Sequence, residues 1–161
     1  MGNFCCRDEG VQNFLRDKAF DYDNRNLART YLILDEDKFV SGDIAIAAYY
    51  TLSIKVLPFT NEVSRAKIKK IEGFTRDALS VGAILIGQFG KDDRYRSTLA
   101  GSEIMEYTVE MLYRIFTSAA CRIAFLECQP NEKIEAFYQR HGFEVLQVNP
   151  KNSLIQMYRF L

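Results

Sequence analysis

The stretch Val81–Met105, VGAILIGQFGKDDRYRSTLAGSEIM, decides the fold. Val81, Ala83, Ile84, Leu85 and Ile86 make a short, nearly unbroken apolar run, the pattern of a strand covered on both faces, and so predict a central position in a sheet. Gly87 and Gly90 are read as interrupting that strand, because a glycine there marks a bulge or a place that another backbone or a ligand approaches closely. A polar loop, Lys91 to Thr98, carries Arg94 and Arg96 and leads through Ala100 and Gly101 into a helix. Met105, Val109, Leu112 and Phe116 repeat along that helix at helical spacing. The first N–H groups of a helix have no partner within it and carry partial positive charge, so an anion can settle there. Strand, small-residue loop and helix tip therefore read either as a phosphate cradle or as an ordinary connection with a solvated basic loop.

Downstream, Cys121 to Cys128 (CRIAFLEC) is a second near-continuous apolar run and a second buried strand, which makes strand-helix-strand a crossover unit with a parallel pair. Asn131 to His141 has Ile134, Phe137, Tyr138 and His141 along one side of a helix that stops at Gly142. Phe143 to Val148 and Ser153 to Phe160 alternate as two closing strands around a turn, Asn149-Pro150-Lys151-Asn152. Upstream, Val11, Phe14, Leu15, Ala19 and Tyr22 share one face of an amphipathic helix from Glu9 to about Arg25. Thr30 to Leu34 is a strand ending in a turn at Asp35-Glu36-Asp37-Lys38, and Ile44 to Val56 is a long central strand pairing with it as a hairpin and ended by Pro58. Ser64 caps a short helix, Arg65 to Ile71, with Arg65, Lys67, Lys69 and Lys70 and no acid until Glu72. This is either a solvated face or a docking patch for an anionic acceptor such as RNA. The order predicts an α/β sandwich of mixed sheet, one domain over residues 1–161.

At 161 residues with nearly half of them apolar, the chain can bury a core without staples. Lys plus Arg balances Asp plus Glu at 21 each, so a nucleic acid or an anionic membrane would have to be met by a local patch. Cys5, Cys6, Cys121 and Cys128 have neither zinc spacing nor the density of a disulfide scaffold, and read as free thiols in a reducing, cytoplasmic compartment. No stretch is long enough to span a membrane, and no metal site is evident. Met1-Gly2-Asn3-Phe4-Cys5-Cys6 has the outline of a myristoylated and palmitoylated N-terminus, although Cys6 stands where Ser or Thr is wanted.

Arg96-Ser97-Thr98-Leu99-Ala100-Gly101 resembles the acetyl-CoA motif of the GCN5-related N-acetyltransferases, the GNAT superfamily, with Leu99 where that pattern usually has glycine. Asn131 to Phe143, NEKIEAFYQRHGF, is similar to the superfamily's C-terminal Asn-x-x-x-x-x-Phe-Tyr-x-x-x-Gly-Phe signature. Thr30-Tyr31-Leu32-Ile33 and Ala48-Tyr49-Tyr50-Thr51-Leu52 resemble the early strands of the branch that includes acetylating toxins of toxin–antitoxin pairs. The resemblance covers nearly the whole chain. It implies a mixed, mostly antiparallel GNAT-like sheet with a central parallel pair and helices on both faces. The cofactor would lie between the strand ending near Gly90 and the one ending near Cys128, with Arg94, Arg96, Ser97, Thr98, Leu99, Ala100, Gly101 and Ser102 around its pyrophosphate.

Acetyl transfer from a thioester to an amine needs the reactants held together, donors for the developing oxyanion, and a proton for the departing thiolate. If Gly87 and Gly90 make a bulge, the N–H groups around Gln88, Phe89 and Gly90 are free for the pantetheine amides and the acetyl carbonyl. Tyr138 is either a core aromatic or, as the resemblance implies, the general acid, since an ordinary phenol near pKa 10 lies above a thiol near 8.5. Asn131 is a helix cap or a cofactor contact. Glu127 is a candidate base or a solvated charge, His141 sits favourably at a helix end, and Cys128 is a buried thiol. The leading expectation is an acetyl-CoA-dependent, metal-free N-acetyltransferase working by direct transfer. Its acceptor is a small amine, a protein or an aminoacyl-tRNA, and the toxin branch adds an antitoxin and a homodimer as partners, with no membrane. The alternative is a non-catalytic acyl-CoA-binding or protein-interaction module with a degraded pocket.

Overall fold

The structure, a computed structural model, describes residues 4–161. The outline of a lipidated N-terminus rests on Met1, Gly2 and Asn3, which lie outside the described residues. In chain order the elements are α1 (Glu9–Asp17), α2 (Ala19–Asn24), β1 (Arg29–Leu34), α3 (Glu36–Val40), β2 (Ile46–Pro58), α4 (Arg65–Glu72), β3 (Ser80–Lys91), α5 (Gly101–Ala119), β4 (Ile123–Cys128), α6 (Glu132–Arg140), β5 (Glu144–Val148) and β6 (Ile155–Phe160). A 3-10 turn at Asp93–Tyr95 precedes α5. The strands form a six-stranded sheet in the order β1-β2-β3-β4-β6-β5. Its parallel pair is β3 with β4, in the register Ile84 to Ala124, Leu85 to Phe125 and Ile86 to Leu126, as a crossover through α5 requires.

By internal packing the chain divides into two compact units. One comprises residues up to Ser53 together with Gly87–Val109, the other Ile54–Ile86 together with Glu110–Leu161. In the first, β1 and β2 form the antiparallel hairpin, with Tyr31 opposite Tyr50 and their rings stacked at 5.0 Å. Its core gathers Phe4, Leu15, Ala19, Ile46 and Tyr49. The amphipathic helix is broken at Lys18, whose backbone (φ −127°, ψ −29°) leaves the helical region, so two helices stand where periodicity predicts one. The apolar stripe survives because Lys18 N–H still reaches the Phe14 carbonyl and Tyr22 N–H the Lys18 carbonyl. The turn expected at Asp35 is instead the start of α3: the Asp35 carboxylate accepts from Lys38 N–H, a helix cap.

In the second unit, β4 pairs antiparallel with β6, and β6 with β5. Its core unites Leu57, Val63, Ile68, Ile71, Ala83, Ile123, Phe125, Leu146 and Tyr158. Ser64 caps α4 through Lys67 N–H at 3.2 Å, Asn131 caps α6, and Gly142, at φ +81°, ends the α6 region in the left-handed conformation that glycine tolerates.

Candidate functional site

The strand β3 is not interrupted at Gly87 and Gly90; it runs through both to Lys91. Gly90 is a point of close approach, but what approaches is the protein itself. A Cβ there would lie 2.6 Å from Val11 Cγ1 and 3.0 Å from Tyr49 Cε1. Nor is the Gln88 N–H free: it donates to Thr51 Oγ1 at 2.9 Å. Thr51 is buried in β2, and no local signal marks it for this role.

The loop after β3 is built around Asp92, a fully buried carboxylate. Its Oδ1 accepts from Arg94 N–H and Nε, both at 2.9 Å, and its Oδ2 from Arg94 Nη2 at 2.8 Å and Cys5 N–H at 3.1 Å. Burial pushes the Asp92 pKa upward, but the Arg94 side chain, the Arg94 and Cys5 backbone donors and the guanidinium charge together outweigh it. The carboxyl is held below its ordinary value. Arg96 pairs with Asp93 at 2.6 Å, and Lys91 Nζ donates to the Leu99 carbonyl at 2.7 Å and the Arg96 carbonyl at 3.3 Å. The pair of arginines expected to supply a positive field is thus matched by its own aspartates.

At the tip of α5 the Glu103 carboxylate accepts from Ala100 N–H at 2.6 Å, the half of a capping box in which an acid reaches back three residues. That spacing is visible in the sequence. The N–H groups of Gly101, Ser102 and Glu103 open the helix with no acceptor inside it, and Ser97 and Thr98 are exposed beside it. These donors suit a diphosphate. The loop's formal charge does not add to them: Lys91, Arg94 and Arg96 against Asp92, Asp93 and Glu103 sum to zero.

In the second unit, Tyr138 lies in α6, partly buried, its ring edge-on to Phe137 at 5.2 Å and to Phe143 at 5.9 Å. Burial, with a smaller contribution from Cys128, pushes its pKa up to about 12. The Cys128 thiol is itself buried and pushed up, chiefly by burial and then by Glu135, which keeps it a thiol rather than a nucleophile. Asn131 acts as a cap: its side-chain oxygen accepts from Lys133 N–H at 3.0 Å and Ile134 N–H at 3.3 Å. Glu127 is a hydrogen-bonded carboxylate and not a freely solvated charge. Its carboxylate accepts from Asn149 Nδ2 (2.7 Å), Gln156 Nε2 (2.6 Å) and Asn152 Nδ2 (3.1 Å), fastening the β5–β6 turn to β4. The His141 ring lies tilted against Phe137, centroids 4.8 Å apart, and the His141 carbonyl accepts from Arg159 Nη1 at 2.6 Å.

Among the described residues, no helix is long and apolar enough to cross a membrane. No family model matches the sequence, and no curated protein matches it. Solved structures do match in fold. A tyrosine-to-phenylalanine mutant of the toxin AtaT superposes with a TM-score of 0.74 at 18% identity, over 98% of this chain and 81% of that one. AtaT complexed with acetyl-methionyl-tRNAfMet gives 0.73 at 20% identity, over 94% and 84%. AtaTR bound with acetyl-CoA gives 0.69 at 18%, over 96% and 83%. The chain therefore has the fold of these toxins along nearly its full length, and its strand order and parallel β3–β4 pair are those of the expected mixed sheet.

Proposed function

We propose that the chain, working as one domain, is an acetyl-CoA-dependent N-acetyltransferase that acts as a toxin, with the amino group of an aminoacyl-tRNA as acceptor and an antitoxin as its inhibitory partner. The observation that carries this reading is the likeness of fold to toxins caught with acetyl-CoA and with an acetylated aminoacyl-tRNA. The donors at the tip of α5 support it, since they suit the diphosphate of coenzyme A. In the transfer, the acceptor amine attacks the thioester carbonyl carbon, the tetrahedral adduct collapses with loss of the C–S bond, and the thiolate takes a proton while the amine sheds one to solvent.

Tyr138 is the proposed donor of that proton. Its raised pKa keeps the phenol protonated across neutral and alkaline pH, so the donor is present at every turnover. A thiolate leaving into the same water-poor surroundings becomes more basic too, which narrows the gap between the two groups. Calorimetry with acetyl-CoA and transfer of labelled acetyl to methionyl-tRNA test the reading. Binding in the micromolar range and an acetylated aminoacyl-tRNA are expected. Tyr138→Phe should lower kcat about 10²- to 10⁴-fold with little change in acetyl-CoA affinity. No acetyl-CoA binding at high micromolar concentration would overturn the enzyme in favour of a binding module, and a Tyr138→Phe protein with full kcat would remove the tyrosine from its role.

A further inference from the structure

The four cations of α4 do not act as one face. Lys67 turns to β5 and β6, donating to the Val145 carbonyl at 2.8 Å with its ammonium 5.2 Å from the Tyr158 ring. Arg65, Lys69 and Lys70 instead line a hollow of about 530 Å³, which Arg76 and Arg122 complete from outside the helix. Five cations thus converge from three places in the sequence on one concavity of a chain whose net charge is zero.

The hollow is built, not incidental. Arg122 lies across the end of α4, donating from Nε to the Ile71 carbonyl at 3.3 Å and from Nη2 to the Lys70 carbonyl at 3.4 Å. The glycine at residue 73 leaves it room: a Cβ there would lie 2.9 Å from Arg122 Cζ, and the backbone at φ +100° disfavours any other side chain. Two carboxylates stand nearby. Asp77 reaches Arg65 at 3.6 Å with both side chains largely exposed, and Glu72 is committed to the N–H groups of Phe74 and Thr75 at 2.8 and 2.7 Å. Five positive charges less two negative leave a surplus of three. The Lys69 ammonium and the Arg76 guanidinium have no hydrogen-bond or ion-pair partner among the described residues.

Phe74, between the lining residues Gly73 and Arg76, is 89% exposed, and its backbone is pinned by Glu72. An exposed aromatic beside a basic concavity suits an unpaired base stacked next to its phosphates, whereas a simple anion has no use for the ring. We propose that this hollow, with Phe74 beside it, is an RNA-binding site that seats the sugar-phosphate backbone of the acceptor. The proposal rests on the acetyl-acceptor reading above for which RNA is bound, but the site stands or falls by its own measurement.

The test is fluorescence anisotropy of labelled unfractionated tRNA with the full chain across a salt series, comparing wild type, Lys69→Ala/Arg76→Ala and Phe74→Ala. Both sets of side chains are exposed, so folding is preserved, and thermal melts check it. The double variant should weaken binding at least tenfold and lower the slope of log affinity against log salt by roughly two, about one for each phosphate no longer neutralised. Phe74→Ala should weaken binding about 5- to 100-fold with the slope unchanged. Acetyl-CoA affinity, read by calorimetry, should stay at the wild-type value in all three proteins. Unaltered tRNA affinity and slope in the double variant would overturn the site. Weakening in the double variant but none in Phe74→Ala, with inorganic polyphosphate competing fully, would overturn the RNA assignment in favour of a plain anion site. Absence of acetyl-CoA binding in wild type with these tRNA results intact would sink the enzyme and leave the RNA site standing.

Discussion

Replacing Asp92 by Asn tests whether the loop before α5 is held by one buried charge. The substitution keeps shape and one oxygen. With that oxygen at the Oδ1 position, the bonds from Arg94 N–H and Nε survive, but the amide nitrogen then faces two donors, Arg94 Nη2 at 2.8 Å and Cys5 N–H at 3.1 Å. A hydrogen bond to a charged group contributes about 1.5–3 kcal/mol and a lost neutral one about 1 kcal/mol. Arg94 is 46% exposed and can turn to water, so its share is discounted, leaving a cost of about 2–4 kcal/mol. For a chain of this length that lowers Tm by about 4–16 °C. The carboxyl's pKa lies below its ordinary value, so its contribution is complete above the usual carboxylate range and disappears as the pH falls through the folded value. Melting curves of wild type and Asp92→Asn should therefore be far apart at pH 7 and draw together as the pH falls below the usual carboxylate range. A gap under 1 °C at pH 7, or one unchanged at low pH, would refute the reasoning.

Two further substitutions probe the frame around the site. Gly90→Ala puts a methyl 2.6 Å from Val11 Cγ1 and should cost about 1–3 kcal/mol in urea unfolding, a loss that Val11→Ala in the same chain should partly restore. Glu127→Ala leaves three side-chain amides without their acceptor; a loss of about 1–3 kcal/mol is expected, with faster amide exchange over the turn at Asn149–Ser153 as its local signature.

Most of the elements could be read from periodicity, because the buried strands β3 and β4 and the helix α5 carry runs and repeats that only those structures satisfy. The break at Lys18 could not, since the apolar stripe continues across it. The helix α3 was masked because Asp35 caps a helix with the same chemistry by which it would open a turn. Its second partner, the Tyr95 hydroxyl at 2.7 Å, is 60 residues away. In the site, the residue types of DDRYR were in view, but which charge answers which was not. Asp92 and Asp93 neutralise Arg94 and Arg96 through backbone geometry that sequence spacing alone leaves open. The basic run of α4 was legible as charge, whereas Arg76 and Arg122 join it only through the fold.

The carboxylate of Glu103 gives the tip of α5 an anion of its own. Any guest that would use the Ala100 N–H therefore arrives by exchange with a resident and not by filling a vacancy. Its grip is the difference between two similar attractions, smaller than the donors alone would provide. Such a swap is easily reversed, so an anion that took the Ala100 N–H would leave as readily as it entered.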